Sequence, residues 1–280
     1  MLRPMSDYAV DEDIVAEDYE APLQRVAAEF IGAFALVFIA AGATIYGDLV
    51  GVALASGLVI AVMVSAVGHI SGGHFNPAVT LGFLVTRRIS PKLAILYWLA
   101  QFGAAALAAL LLKWVLPSGA AVNLGTPTLN NMVNSGKGVT IEAVLTFFLV
   151  WVIFASVADH RGSFRQIAGL AIGLTITLDT LMAAGLTGAA VNPARAFGPQ
   201  LVGNHWADFW VWYVGPFAGA ILAAVLYEAL YLRPARPVPV GPPETGVQEP
   251  APGLAALADD PLAETVVVVD EPPPGTAATD

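Results

Sequence analysis

The chain has 280 residues, of which 57% are hydrophobic and only 12% charged, with a mean hydropathy of +0.71. Soluble domains carry about 25% charged residues, so this composition excludes an ordinary soluble fold and points to an integral membrane protein. Cysteine is absent, which excludes disulfides, thiolate chemistry and Cys-based metal sites.

The net charge of −10 belongs to the ends. Residues 1–22 hold seven acids and one Arg, and predict a disordered acidic tail. An acidic flank is wrong for a secretory signal, so none is expected. A span needs ~20 apolar residues to cross the ~30 Å hydrocarbon core. Residues 26–47, with Glu29 as their one acid, predict the first. From Leu49 to Thr86 run 38 residues without a formal charge, which as one helix would reach ~57 Å. That stretch predicts a second span, a break and a further short helix entering from the same side. Residues 93–112 predict the third span, and 138–158, holding Glu142, the fourth. Residues 166–194, charged only at Asp179 before Arg195, predict a fifth span with a second break and short helix. Residues 209–227 predict the sixth. Residues 234–280, with eight acids, one Arg and the runs "PVPVGPPE" and "EPPPG", predict a disordered Pro-rich acidic tail. Solubilising or tethering roles suit both tails.

The expected fold is therefore an all-α membrane protein with six transmembrane helices and two re-entrant half-helices. Its membrane domain spans 23–233. Arg25, Arg87, Arg88, Lys92, Arg161, Arg165, Arg233 and Arg236 fall on the face shared with both termini, and Lys113 and Lys137 on the other. The positive-inside bias makes both termini cytoplasmic. The halves, about 24–116 and 138–232, also match each other. "AEFIGAFALVF" (28–38) resembles "IEAVLTFFLVW" (141–151), and "GHFNPAVTLGFLV" (73–85) resembles "AAVNPARAFGPQL" (189–201). Three spans per half make the second half inverted, a signature of a solute pathway.

Both breaks carry Asn-Pro-Ala, at Asn76–Pro77–Ala78 and Asn192–Pro193–Ala194. Asn is a good N-cap and Pro is favoured at the first helical position. Two half-helices, one from each face, would meet N-terminus to N-terminus at the midplane. Their unwound leaders, Gly72, Gly73, His74 and Phe75, then Gly188, Ala189, Ala190 and Val191, would line a lumen with backbone carbonyls. The paired N-termini would concentrate positive potential there. Water could accept bonds from both Asn amides, while a cation or hydronium would meet a barrier.

Paired boxes in an inverted six-span repeat resemble the aquaporin (major intrinsic protein) family, whose signatures "SGGHFNPAVT" and "TGAAVNPARAFGP" match almost throughout. The barrier above is the one ascribed to aquaporin-type pores. The resemblance implies that Arg195 forms a narrow outer filter with Ser56, Thr180 and Ala189. Water-selective members have an aromatic and a His where this chain has Ser56 and Thr180, so a wider, polar opening is expected. Glu29 and Glu142 would accept N–H bonds from the leaders, with a proton relay as the alternative. His74 would line the cytoplasmic half or serve packing; His69, His160 and His205 have no assigned site. Asp179 resembles an acid of tonoplast-type members and is expected buried rather than conducting. Ala196, Gln200 and Trp212–Tyr213 depart from the glycerol-facilitator pattern and oppose the wide filter.

The resemblance implies a passive channel for water, with other small neutral solutes as candidates, assembled as a homotetramer in the plasma membrane. Glycerol, urea, ammonia or uncharged hydroxylated acids as the main cargo are the alternative. A proton-coupled transporter and a barely conducting structural protein are the rivals. No enzyme activity, cofactor, metal or nucleic-acid partner is expected.

Overall fold

The computed structural model describes residues 22–117, 123–159, 161 and 166–233, all within a compact unit that ends at Arg233. The predicted tails, apart from Pro22, lie outside the described residues, as do His160 and Arg165.

In chain order the helices are α1 (Pro22–Tyr46), α2 (Leu49–Ser71), α3 (Pro77–Val85), α4 (Pro91–Val115), α5 (Ser135–Ile153), α6 (Ala168–Thr187), α7 (Pro193–Gly203) and α8 (Val211–Tyr227). Single wider, π-helical turns continue α5 over Phe154–Ala158 and α8 over Glu228–Leu232. Among the described residues, and counting those turns, six helices are long and apolar enough to cross a membrane. The short α3 and α7 are the half-helices.

Their ends follow from local chemistry. Asp48 caps α2 through Gly51 N (2.7 Å), Ser90 caps α4 through Leu93 N (3.3 Å), and Asn134 caps α5 through Lys137 N (2.9 Å). Each satisfies an N–H that the first helical turn leaves open. The third and sixth membrane helices outrun the windows read between charges. Lys92 and Lys113 lie inside α4, at its two ends, where long side chains can carry their charge towards water. At the end of α8, Glu228 accepts Arg88 Nε (3.1 Å) and Nη2 (2.8 Å). The charge that closed the window is partnered rather than helix-ending.

Packing relies on small residues. Lipid tails are as apolar as leucine, so helices in a bilayer associate through close contact rather than water exclusion. At the α2–α6 crossing a Cβ on Gly57 would run into the Gly173 carbonyl, and one on Gly173 into that of Gly57. Bulky apolar side chains, among them Leu58, Leu99, Leu178 and Leu222, point outward instead. Just beyond the C-terminal end of α5 and its π-helical turn, Arg161 Nε and Nη2 grip Asp159 (2.9 and 2.7 Å), and the Tyr227 hydroxyl adds a bond at 3.2 Å. The hydrogen-bonding Arg161 guanidinium holds the Asp159 carboxyl well below the usual carboxylate range.

Candidate channel site

The chain leaves helical geometry between α2 and α3 and again between α6 and α7, deep inside the bundle. Gly72 (φ 90°) and Gly188 (φ 83°) end the preceding helices in the left-handed region. Phe75 (φ 49°), Ala189 (φ 44°) and Val191 (φ 44°) adopt it without the freedom of glycine, at roughly 1–2 kcal/mol each.

Two buried carboxylates hold these leaders. Glu29 Oε1 accepts Ser71 Oγ (2.7 Å) and His74 N (2.8 Å), while Oε2 accepts Phe75 N (2.6 Å) and Gln101 Nε2 (2.8 Å). Glu142 Oε1 accepts Thr187 Oγ1 (2.6 Å) and Ala190 N (3.1 Å), and Oε2 accepts Val191 N (2.7 Å). Ser71 and Thr187 hydroxyls accept in turn from Gly73 N (3.1 Å) and Ala189 N (3.2 Å). The carbonyls of the same two residues are held by Tyr97 Oη (2.7 Å) and Trp212 Nε1 (2.9 Å). Sequence reasoning missed Ser71, Thr187, Tyr97 and Gln101. A signal for the first two was present, because Ser-Gly at 71–72 and Thr-Gly at 187–188 occupy matching places in the repeat.

The half-helices meet through their caps. Asn76 Nδ2 donates to Val191 O (2.9 Å), and Asn192 Nδ2 donates to Phe75 O (2.9 Å). Each side-chain oxygen caps its own helix, Asn76 Oδ1 through Ala78 N and Asn192 Oδ1 through Ala194 N, both at 2.9 Å. Each Asn thus fastens its own helix and the opposite leader, and keeps one amide N–H uncommitted.

A cavity of about 610 Å³ of atom-free space, its openings included, runs along this junction. Ser56, Thr180, Ala189 and Arg195 converge on it from α2, α6, the second leader and α7. Gly73, His74, Asn76, Gly188, Ala190, Val191 and Asn192 also border it, facing an apolar wall that includes Ile60, Val79, Leu149 and Ile176. Phe75 and Gly72, expected to line it, do not: the Phe75 ring is fully buried and neither residue borders the cavity, so each contributes backbone geometry rather than lining. Pro77, Ala78, Pro193 and Ala194 are buried in the helix starts, away from the opening. Of each box, only the Asn borders the cavity.

The polar groups around it differ in what they offer. The Thr180 hydroxyl donates back to Ile176 O (2.8 Å) and leaves a lone pair. Ser56 Oγ has no partner among the described residues and can both donate and accept. Arg195 is buried, and its Nη1 donates to Gly125 O (2.7 Å). Gly125 (φ 69°) sits so close to the end of α1 that a Cβ would meet Ala41 O at 2.5 Å and Thr44 Oγ1 at 2.7 Å. The loop that anchors Arg195 is therefore seated where only glycine fits.

Asp179 is buried and does not border the cavity, and its Oδ2 has no partner among the described residues. His69 is exposed, and neither it nor His205 reaches the opening. Trp212 and Tyr213 have bonding roles, Tyr213 Oη donating to Gln200 Oε1 at 3.1 Å. Among the described residues, no group of three or more His, Cys, Asp and Glu side chains could hold a metal.

The model of the family described as major intrinsic protein matches residues 17–227. Aquaporin-4 of Mus musculus is 40% identical over 217 residues, 74% of this chain and 67% of its own length. Aquaporin TIP4-4 of Zea mays is 42% identical over 224 residues, 75% of this chain and 87% of its own. Among solved structures, the aquaglyceroporin from Plasmodium falciparum aligns with a TM-score of 0.69 at 23% identity, covering 75% of this chain and 96% of that one.

Proposed function

Since the chain belongs to the major intrinsic protein family and is a passive transmembrane channel of its water and small-solute type, we propose that the cavity between its two half-helices is the route. The reciprocal Asn76–Val191 and Asn192–Phe75 bonds carry this reading. They leave one amide N–H of each Asn to bind a passing water oxygen, at the level where two helix N-termini raise the potential. A water molecule can accept from both. A cation at the same level gives up hydration and meets positive charge on two sides.

Arg195 is the second barrier. Fixed by Gly125 O, it keeps further N–H groups for solute and places a full positive charge opposite Ser56 and Thr180. Because none of Ser56, Thr180 and Ala189 carries a ring, we propose a filter wide enough for neutral solutes larger than water. A proton-coupled transporter is disfavoured. Glu29 and Glu142 are occupied in holding the leaders, and Asp179 does not border the route.

Both termini are assigned to the cytoplasm and the chain to the plasma membrane. Arg25, Arg87, Arg88, Lys92, Arg161 and Arg233 lie at or near helix ends on the side where α1 begins and the turn after α8 ends, against Lys113 and Lys137 on the other, which supports this orientation. Assembly as a homotetramer rests on family membership.

Proteoliposomes holding the full chain should swell with a low activation energy and without proton leak. A proton conductance comparable to the water flux would reject the barrier. Arg195→Val should raise cation leak by about tenfold or more, because a unit charge removed from a low-dielectric constriction exceeds about 1.4 kcal/mol. Unchanged ion selectivity in a folded variant would remove Arg195 from the filter.

A further inference from the structure

His74 borders the cavity with a ring whose two nitrogens have different fates. Nδ1 lies 3.0 Å from Thr80 Oγ1. Nε2, at the other edge, has no partner among the described residues and is not fully enclosed; it lies beside Gly72, on a residue that borders the cavity. Whether Nε2 donates or accepts depends on which nitrogen carries the proton, and Thr80 decides that.

The Thr80 hydroxyl has one hydrogen and two lone pairs. Gln101 Nε2 lies 3.1 Å from it and 2.8 Å from Glu29 Oε2. The amide nitrogen must occupy that place, because a flipped amide would set its oxygen against the carboxylate. Gln101 therefore donates to Thr80 and uses one lone pair. Thr80 Oγ1 stands 3.1 Å from Asn76 O, in position to donate its hydrogen there. Only a lone pair then remains for His74, so Nδ1 must be the donor. The opposite tautomer would turn the Thr80 hydrogen to Nδ1 and forfeit the bond to Asn76 O. The ring is further clamped by Phe83, at 4.5 Å between centroids, and Tyr97, at 5.3 Å edge-on, so it cannot swing to another partner.

We propose that Thr80 holds His74 in the Nδ1–H tautomer, so that Nε2 presents a hydrogen-bond acceptor to molecules in the inner half of the route. Thr80 is a positioning residue and Gln101 fixes its orientation. A water molecule there points a hydrogen at Nε2, which favours turning its oxygen towards the Asn amides at the midplane.

The second half of the repeat supports treating these residues as one unit. Ser71, Asn76 and Tyr97 have bonding counterparts in Thr187, Asn192 and Trp212. At the places of His74 and Thr80 stand Ala190 and Ala196. Four residues beyond Trp212, where Gln101 lies four beyond Tyr97, stands Pro216. All three members of the device are replaced together while the leader support is kept.

The full chain, labelled with ¹⁵N-histidine and reconstituted in lipid, would be examined by solid-state NMR at neutral pH. The signals of His74, one of four histidines, are assigned by their loss in His74→Gln. The expected spectrum shows a protonated Nδ1 and a bare Nε2, retained in Thr80→Ser and giving way to an Nε2–H population in Thr80→Val and Thr80→Ala. An Nε2–H signal in the wild-type chain would overturn the tautomer. An unchanged tautomer in either hydroxyl-free variant that still conducts water would overturn the role of Thr80. His74's effect on passing water rests on the cavity being the route, whereas its tautomer is read from the spectrum whatever the flux.

Discussion

Glu29→Leu should leave no conducting channel. Four donors lose their acceptor at once: Ser71 Oγ, the N–H groups of His74 and Phe75, and Gln101 Nε2. A buried donor left without a partner costs about 1–3 kcal/mol. The combined loss of roughly 4–12 kcal/mol rivals the about 5–15 kcal/mol that holds a typical fold together. Leucine fills the space but offers no acceptor, and no water can stand in where Glu29 is fully enclosed. Glu142→Leu should be damaging by the same route and somewhat less so, since Glu142 has three such donors. Glu29→Gln, which keeps one acceptor oxygen, should fall between leucine and the wild type. Thermal melting in detergent and swelling of proteoliposomes check the order. A Glu29→Leu protein with wild-type melting and flux would show that the leaders stand without the carboxylate.

Ser56→Phe/Thr180→His should convert the channel to one that passes water and little else. In the wild-type protein Arg195 and the three residues grouped with it present a guanidinium, a hydroxyl, a lone pair and a methyl group, with no ring among them. A carbon-bearing solute can then replace part of its hydration with bonds to Ser56 and Arg195 instead of squeezing past an aromatic face. Two rings would take up that room. Stopped-flow light scattering with glycerol, urea and a neutral hydroxylated acid should show solute flux falling to the level of empty vesicles, while most water flux remains. The opposing features have structural explanations that leave the filter untouched. Gln200 is tied to Tyr213, and Ala196 is fully buried, so neither narrows the opening. Exclusion of every solute but water by the wild-type channel would show the wide filter to be wrong.

Much of the architecture was legible from the chain because a bilayer imposes a length rule. A charge-free run of 38 residues cannot be one crossing, and Asn-Pro at the start of the remainder marks where a helix can restart. The structure places both restarts there, α3 at Pro77 and α7 at Pro193. Ser56, Thr180, Ala189 and Arg195, up to 139 residues apart in numbering, could be grouped only through resemblance, and the fold brings them to one cavity. Helix ends were less legible. Lys92, Lys113 and Glu228 interrupt the hydropathy without ending a helix, because one charge finds Arg88 and long side chains reach past the helix ends.

By itself, the sequence determined the number of crossings, the two breaks, the inverted repeat and the residues that cap the half-helices. Those follow from composition, period and turn chemistry, which act between near neighbours. Only the tertiary structure decided what each break is tied to. Glu29 lies 46 residues before Phe75, Gly125 lies 70 before Arg195, and Asn76 lies 115 before Val191. Hydrogen bonds select partners by direction within about 3 Å, and no pattern along the chain encodes that meeting. The same limit kept Phe75 among the expected lining residues, since a backbone in the left-handed region turns the ring into the core and leaves only its carbonyl for Asn192.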